Sequence, residues 1–301
     1  MSSIVIDGRT YTARPMREGD VKVADDLTAE SHLMVGAETL RLNFHTSPGG
    51  FTVVVDEIGE IVAMEALNEM SNGLIFSAQV YVQPKLRRKG MHGLFPGPGQ
   101  IGFASVSFIK KLKSRVVFSR KYLIYYGHPY LKDIDRLLDS GVCHLERIDS
   151  QNVEDVIEYD KLILPGITRD SYIREWCSPT NYNIKTVGLI AYDSAGRACG
   201  YGVAKVTHLI VHFTPVYAET EAVARQLYVG LFKLSRDTWG SVEVSLFGPA
   251  RSRLILELAR TVGLDLATTE MFWNRSDPQT VAFAQSIQYD KVYSVLDFWP
   301  V

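Results

Sequence analysis

The stretch FTVVVDEIGEIVAMEALNEM, residues 51–70, contains two runs of β-branched and apolar residues on either side of a short turn. The turn includes Asp56 and Gly59, residue types that are common in tight connections between strands. This pattern predicts a β-hairpin.

A second copy of this hairpin occurs in KTVGLIAYDSAGRACGYGVAKV, residues 185–206, with its Asp and Gly at the same spacing. The segments that follow also match. IFSAQVYVQP, residues 75–84, is similar to LIVHFTPVYAE, residues 209–219, with a slip of one residue. The sequence therefore predicts two copies of one structural unit.

Later segments complete the predicted unit. In the first half a strand at 116–118 precedes an amphipathic helix at 128–141, and in the second a strand at 242–244 precedes a helix at 251–263. Each helix ends in a glycine, which commonly adopts the left-handed conformation that caps a helix. The residues expected to be buried are Leu131, Ile134 and Leu138 in the first helix and Leu254, Leu258 and Val262 in the second.

The order of elements in each copy is a strand, helices, three antiparallel strands, a helix, a strand, a helix and terminal strands, which indicates the α+β class. A chain of 301 residues is long enough for two such domains. We place the N-terminal domain at 1–146 and the C-terminal domain at 147–301.

The composition excludes several classes of partner. With 46% hydrophobic and 22% charged residues and a net charge of −2, the chain is typical of globular proteins and has no basic field that would attract nucleic acid. No apolar run approaches the roughly 18 residues that span a bilayer, and no secretory signal is present, so we expect a cytoplasmic protein without a membrane partner. Three widely spaced cysteines favour reduced thiols over a disulfide framework or a zinc site, and we expect no metal.

Two glycine-rich segments follow each other after the third strand of the first copy. GPGQIG, residues 97–102, satisfies the dinucleotide fingerprint, but no strand runs directly into it and Pro96 and Pro98 each lack an amide donor. LRRKGMHG, residues 86–93, directly follows a predicted strand and offers consecutive main-chain N–H groups together with three basic side chains. This second segment has the features of an anion nest for phosphate; the alternative is a solvated basic turn.

The strand end and this loop read V-x-P-x-x-R-R-K-G-x-x-G, which resembles motif A of the GNAT acetyltransferases, [QR]-x-x-G-x-[GA]. Arg87 and Gly90 fill the first two defined positions, whereas His92 stands where the family has Gly or Ala. The resemblance implies two tandem GNAT folds, each a mixed, mostly antiparallel sheet flanked by helices, and a loop that holds the pyrophosphate of acetyl-CoA. Main-chain N–H groups near Tyr81 and Val82 would polarise the thioester carbonyl. The implied cofactor-binding residues are Tyr81, Val82, Arg87, Arg88, Lys89, Gly90, Met91, His92 and Gly93.

The family has an uninterrupted helix after this loop, and here LFPGPGQIG, residues 94–102, intervenes before a helical pattern resumes in ASVSFIKKLK, residues 104–113. Proline and glycine at this density break a helix. Either a loop is inserted after the first turn or the phosphate cradle is damaged.

The second half resembles the YitH/HolE-type GNAT domain in three stretches: EYDKLILPGITRDSYIREW (158–176), GYGVAKV (200–206) and PVYAETEAVARQL (215–227). The last stretch has no glycine, and Glu219 and Glu221 lie where a pyrophosphate would bind, so they would repel it. The resemblance implies a degenerate domain that shapes the substrate pocket or has a structural role.

Direct acetyl transfer needs a base for the amine and an acid for the departing thiolate. Glu65 and Glu69 lie on one face of the predicted second hairpin strand and are the candidate bases; solvent-facing strand carboxylates are the alternative. His45 is the next candidate, because its ordinary pKa suits proton transfer at neutral pH. The usual acid position of the family falls on Leu137, and Tyr130, two helical turns earlier, is the candidate substitute, with a purely structural tyrosine as the alternative.

The sequence thus predicts an N-acetyltransferase that moves an acetyl group from acetyl-CoA to an amine of a small molecule or peptide. The alternative is an inactive tandem GNAT-fold module that binds a ligand or a protein.

Overall fold

The computed structural model describes residues 2–29, 36–95, 101–105, 116–132, 134–138 and 142–295. Contacts between residues divide the chain into two compact units, Met1–Gly102 (unit 1) and Phe103–Val301 (unit 2). No helix among the described residues is both long and apolar enough to cross a membrane.

Unit 1 is built on a sheet whose strands β1 to β5 pair antiparallel in chain order. Strand β6 then runs parallel to β5, with Phe76 opposite Ile101 and Ser77 opposite Gly102. The strands are β1 (Ser3–Ile6), β2 (Arg9–Pro15), β3 (Phe51–Val55), β4 (Ile61–Glu69), β5 (Ile75–Val82) and β6 (Ile101–Ser105), of which the first two residues of β6 belong to this unit. The helices are α1 (Val21–Ala29) and α2 (Ala37–Thr46), with 3₁₀ helices at Glu18–Asp20, Pro48–Gly50, Pro84–Leu86 and Met91–Leu94.

One face of the unit 1 sheet packs against the segment that follows β5. Val54 and Ala63 of the sheet are fully buried and belong to one apolar cluster with Leu86, Met91 and Leu94. The basic loop is therefore anchored by the apolar residues on either side of its three charges.

Unit 2 contains a larger sheet in the order β13-β7-β12-β11-β10-β9-β8, with β14 beside β11. Strands β11 and β12 are parallel, and the other neighbours are antiparallel. The strands are β7 (Val116–Gly127), β8 (His144–Arg147), β9 (Thr186–Tyr192), β10 (Ala198–Thr207), β11 (Ile210–Ala218), β12 (Glu243–Pro249), β13 (Asp265–Arg275) and β14 (Val292–Ser294). The helices are α3 (Val153–Ile163), α4 (Asp170–Cys177), α5 (Glu221–Trp239), α6 (Arg253–Val262) and α7 (Pro278–Ser286), with 3₁₀ helices at Ile134–Leu137 and Tyr289–Lys291.

Both predicted hairpins form, β3–β4 and β9–β10, and their turns have the same geometry. Asp56 Oδ1 accepts the amides two and four residues further on, at 3.1 and 2.9 Å. Asp193 Oδ1 accepts the corresponding amides at 2.8 and 3.0 Å. Gly59 and Gly196 have φ values of 87° and 74°, in the left-handed region that glycine tolerates best. The internal repeat is confirmed.

The pairing of the strand at 116–118 with the one at 242–244 is wrong. The strand that runs parallel beside β5 is β6, as β12 runs parallel beside β11, so β6 is the counterpart of β12. Strand β7 instead pairs antiparallel with both β12 and β13. Strand β7 therefore belongs to the compact unit 2. The two units meet in the chain between residues 102 and 103, whereas the sequence predicted a domain boundary at 146/147.

The helix predicted at 128–141 does not form among the described residues of that range, where the chain makes only the 3₁₀ helix at 134–137. Ile134 and Leu137 are buried, whereas Leu138 is exposed, because a period of three residues places a different set on one face than the α-helical period. Residues 133 and 139–141 lie outside the described residues, as do 97–100 of the GPGQIG segment and 106–113 of the helix predicted at 104–113. Residues 104–105 belong to β6 rather than to a helix.

The second amphipathic helix is confirmed as α6. Gly263 caps it with φ 75° and ψ 37°, the left-handed conformation. Leu254, Leu258 and Val262 are completely buried, as the spacing predicts.

Candidate functional site

The candidate site lies where β4 and β5 of unit 1 are paired. Glu65 on β4 lies opposite Thr52 of β3 and Val80 of β5, so these three side chains share one face of the sheet. The register between β4 and β5 shifts after the Ala66–Gln79 pair, which is the signature of a bulge.

Glu65 is almost completely buried, with 3% of its surface exposed. Burial disfavours the charged carboxylate and raises its pKa to about 7. Its Oε2 atom has no hydrogen-bond partner among the described residues. A carboxylate with a pKa close to the working pH is suited to accept a proton from a substrate.

The other predicted bases have different surroundings. Glu69 lies at the exposed end of β4, and its main-chain N–H donates to Ser47 Oγ at 3.2 Å. His45 lies in α2, and its Nε2 atom is 2.7 Å from Glu18 Oε2 on the surface. Burial therefore separates Glu65 from the two alternatives.

The basic loop after β5 has two of its cations in contacts within unit 1. Arg87 Nε donates to the carbonyl of Val82 at 2.9 Å, and its guanidinium lies 5.9 Å from the centre of the Tyr81 ring. Lys89 Nζ forms an ion pair with Asp7 at 2.5 Å. Arg87, Arg88 and Lys89 are exposed, so all three remain in contact with solvent.

The main chain of the loop is tightly folded. Arg88 and Gly90 have φ values of 65° and 87°. The row of main-chain donors is predicted to run from Arg88 to Gly93, and the amide of Gly93 donates to Gly90 at 2.9 Å, so this N–H group is used within a turn. The amide of Arg87, just before the row, donates to Pro84 at 3.2 Å. The loop continues into a four-residue 3₁₀ helix, Met91–Leu94, instead of the long helix of the family pattern.

The equivalent connection in unit 2 is an α-helix of 19 residues, α5. Thr220 caps it, because its hydroxyl accepts the amide of Val223 at 3.3 Å. Glu219 pairs with Lys291 at 2.9 Å, and Glu221 occupies the first turn. At the N-terminus of α5 the chain thus supplies its own hydrogen-bond acceptor, the Thr220 hydroxyl, for the main-chain N–H of Val223.

Strand β14 fills the gap that opens between β11 and β12. These two strands pair only as far as Phe213 and Leu246, and β14 then pairs with β11. Ser294 Oγ lies 2.6 Å from the carbonyl of Phe213 and 2.8 Å from that of Phe247. Tyr228 donates its hydroxyl to the carbonyl of Tyr293 at 2.9 Å. Unit 2 has therefore closed the space that the splayed strands leave.

Tyr130, the candidate acid, belongs to unit 2, unlike the other predicted site residues. It is 60% exposed, and its main-chain N–H donates to Val262 at 2.8 Å. It contributes to a cavity of about 180 Å³ whose lining also includes Lys132, Phe232 and Arg236.

A buried polar network in unit 2 was not assigned by the sequence. Asp160 accepts Arg169 Nε at 2.8 Å and Nη2 at 2.7 Å, and also accepts the hydroxyl of Tyr201 at 2.5 Å. All three residues are buried. They lie in the stretches that resemble the GNAT family. In each stretch a charged or phenolic residue interrupts an apolar run, and this pattern could have predicted a buried polar network. Among the described residues there is no cluster of three or more His, Cys, Asp or Glu that could hold a metal ion.

Comparison with known proteins shows the fold. No family model matches the chain, and no curated protein sequence does. A protein from Pyrococcus horikoshii assigned as an acetyltransferase has a TM-score of 0.65 and 16% identity, with 98% of this chain and 96% of that chain covered. A tandem GNAT protein from the clavulanic acid biosynthesis pathway has a TM-score of 0.58 and 14% identity, covering 89% of this chain and 99% of that one.

Saccharomyces cerevisiae N-myristoyltransferase, solved with bound myristoyl-CoA, has a TM-score of 0.61 and 8% identity, covering 97% of this chain and 90% of that one. The chain has the tandem GNAT fold, an α+β architecture of mixed, mostly antiparallel sheets with flanking helices, as predicted.

Proposed function

We propose that this protein is an N-acetyltransferase that transfers an acetyl group from acetyl-CoA to an amine of a small molecule or peptide. The observation that carries the proposal is Glu65, a buried carboxylate on the central hairpin of unit 1 whose pKa is raised to about 7. The tandem GNAT fold of proteins described as acetyltransferases supports the class of reaction.

The chemistry of the two halves favours residues 1–146 for acetyl-CoA. In the first half, Arg87, Arg88 and Lys89 are exposed, and Gly90 lets the main chain approach a diphosphate closely. In the second half, β14 occupies the gap beside β11, and the start of α5 has Glu219, paired with Lys291, and Glu221 in place of a basic loop. Residues 147–301 would shape the acceptor pocket or support the fold.

In this proposal Glu65 accepts the proton of the acceptor amine, so that a neutral nitrogen is available for attack. When bound, acetyl-CoA supplies an activated thioester. Main-chain N–H groups near Tyr81 and Val82 stabilise the negative charge on the carbonyl oxygen. Tyr130 or water returns a proton to the departing sulfur.

A second candidate is an inactive tandem GNAT-fold module that binds a ligand or a protein. The observation that favours it is the compact loop after β5, in which Arg87 and Lys89 already contact Val82 and Asp7. We further propose a cytoplasmic protein without a nucleic-acid or membrane partner, in keeping with its net charge of −2.

The decisive test is release of free CoA thiol from acetyl-CoA over a panel of amines, for the wild type and for Glu65→Gln. We expect kcat of the variant to fall by about 10²- to 10⁴-fold, because a positioned base contributes on that order. The wild-type kcat/KM should rise with pH through about 7, since the ionised form of Glu65 is the active one.

Glu60→Gln, a change at an exposed turn position, is the matched control, and Glu69→Gln decides between the two carboxylates of β4. Acetyl-CoA should raise the melting temperature, and Arg87→Glu should abolish that rise. No thiol release and no shift with acetyl-CoA would favour the binding module.

A further inference from the structure

The cavity beside Tyr130 lies entirely within unit 2, and no step of the proposed reaction uses it to hold a substrate. It has a volume of about 180 Å³ and is bounded by the segment 129–132, the C-terminal turns of α5 and the start of β12. Close packing leaves few spaces larger than a water molecule in a protein. A space of this size is therefore a candidate binding site.

The walls of the cavity are held by contacts that require no ligand. Phe232 is buried, and the centre of its ring lies 4.6 Å from that of Phe213 in the core of unit 2. Val244 of β12 is also buried. The main-chain N–H of Tyr130 donates to the carbonyl of Val262 at 2.8 Å, which fixes the segment that forms another wall. The cavity is thus formed before anything binds in it.

The charged residues of the lining are both basic. Among the described residues around the cavity, Lys132 and Arg236 are the charged ones. No ion pair in the described part of the chain involves Lys132, and Arg236 has an exposed contact from its Nε atom to Asp237 Oδ1 at 3.6 Å. This distance is too long for a hydrogen bond, and an exposed pair of this kind contributes little.

The C-terminus of α5 also borders the cavity, because Gly240 and Ser241 follow its last turn. A helix C-terminus has a partial negative charge of about half a unit, which is smaller than the charge of the two cations together. The cavity therefore favours a ligand with a negative charge.

The rest of the lining is mainly apolar. Its apolar members are Pro129, Leu131, Phe232, Val242 and Val244. An apolar cavity of about 150 Å³ is large enough to bind benzene, and one water molecule takes up about 30 Å³ in the liquid. The volume beside Tyr130 thus matches one six-membered ring together with one small polar group.

We propose that this cavity binds a small aromatic carboxylate, with the ring against Phe232 and Val244 and the carboxylate at Lys132 and Arg236. The planar guanidinium of Arg236 can donate two parallel hydrogen bonds to a carboxylate, and the ammonium of Lys132 adds a second positive charge. Binding joins α5 to the segment that follows β7. We therefore expect the ligand to raise the melting temperature of the protein.

Isothermal titration calorimetry tests the proposal on the full chain, with benzoate, acetate and benzamide as the three probes. Benzoate should saturate one site. Acetate lacks the ring and benzamide lacks the charge, so each should bind at least about tenfold more weakly. Because acetyl-CoA is absent from the titration, its outcome is independent of whether the proposed acetyl transfer occurs.

Substitutions of the two cations test which groups hold the carboxylate. Lys132→Met and Arg236→Met should each lower the association constant of benzoate by about 2- to 5-fold, the range for exposed ion pairs. Arg260→Met is the matched control, because Arg260 is an exposed basic residue in the last turn of α6, as Arg236 is in α5. It should leave the binding of benzoate unchanged.

Two further variants test the location of the site. Ser241 is an exposed residue of the lining, and Ser241→Trp should fill the cavity and abolish the binding of benzoate. Arg87→Glu, in unit 1, should have no effect on it. Circular dichroism shows whether each variant keeps its fold. Absence of saturation at millimolar benzoate, equal affinity for acetate, an equal loss in Arg260→Met, binding that survives in Ser241→Trp or binding that Arg87→Glu removes would overturn the proposal.

Discussion

The two connections that follow β5 and β11 start from equivalent hairpins and end differently. By the register of both sheets, Gly202 of unit 2 stands where unit 1 has Glu65. A Cβ on Gly202 would lie 2.9 Å from Leu231 Cδ1 of α5, so the helix packs closely against this position of the strand. In unit 1 the connection is a basic loop with 3₁₀ turns, and the same position holds a buried carboxylate. The two units therefore share the same hairpin, but the segment that follows it is a basic loop in unit 1 and the helix α5 in unit 2.

A second difference is found on the neighbouring residues of the same strands. Met64 lies opposite Tyr81 in unit 1, whereas Tyr201 lies opposite Tyr217 in unit 2. The tyrosines of unit 2 contact the buried Arg169 and its partner Asp160. Unit 2 thus has an internal polar network at the place where unit 1 has an apolar side chain.

The largest expected effect concerns this network. Arg169→Met leaves Asp160 as an uncompensated buried charge, which costs about 3–5 kcal/mol. Urea unfolding monitored by circular dichroism measures the loss. Arg197→Met, which breaks an exposed pair with Asp193, should cost no more than about 0.5 kcal/mol. If the free energy of unfolding falls equally in the two variants, the buried network stabilises unit 2 no more than an exposed ion pair does.

The next effect concerns the pH dependence of unit 1. The pKa of Glu65 is raised from 4.5 to about 7 by burial, so the folded state holds the proton more tightly than the unfolded chain. The resulting stability is fully present below pH 4.5 and is lost as the pH rises through 7, a change of about 3 kcal/mol.

Glu65→Gln removes the titration, so its free energy of unfolding should vary less between pH 4.5 and 8 and exceed that of the wild type at pH 8. Chemical denaturation at a series of pH values tests this. A wild-type profile that is flat, or one that rises with pH, would contradict the buried state of the carboxylate.

A smaller effect is expected at the strand that closes unit 2. Ser294→Ala leaves the carbonyls of Phe213 and Phe247 without their shared hydroxyl, at a cost of about 1–3 kcal/mol. Ser194→Ala, in an exposed turn, serves as the control. If both variants unfold at the same urea concentration, β14 does not hold the splayed strands together.

The smallest effect tests the equivalence of the two hairpins. Gly59→Ala and Gly196→Ala force a Cβ into the left-handed region, and no atom lies within 4 Å of either position. Each should therefore cost about 1 kcal/mol, from backbone strain alone. Thermal unfolding of both variants gives the comparison, and a difference well above 0.5 kcal/mol would mean that the two turns are not energetically equivalent.

Sequence patterns correctly predicted the parts of the molecule that are stabilised by interactions between residues close together in the chain. The Asp–Gly turns, the cap at Gly263 and the buried stripe of α6 follow from backbone preference and helical periodicity. The helix predicted at 128–141 failed because the packing selects a 3₁₀ turn that buries Leu137 in place of Leu138. Sequence periodicity does not distinguish those two outcomes over so few residues.

For the candidate site, the sequence identified Glu65 as one of two carboxylates on a strand but could not rank it against Glu69. A period of two says which residues share a face, whereas burial depends on what covers that face. The insertion of β14 beside β11 and the pairing of β7 with β12 and β13 join residues that are far apart in the chain. The sequence by itself determined the repeated hairpins and their turns, because these arise from interactions over a few residues. Only the tertiary structure decided the pKa of Glu65 and the closure of unit 2, because each depends on segments that are distant in the chain and meet only in the folded protein.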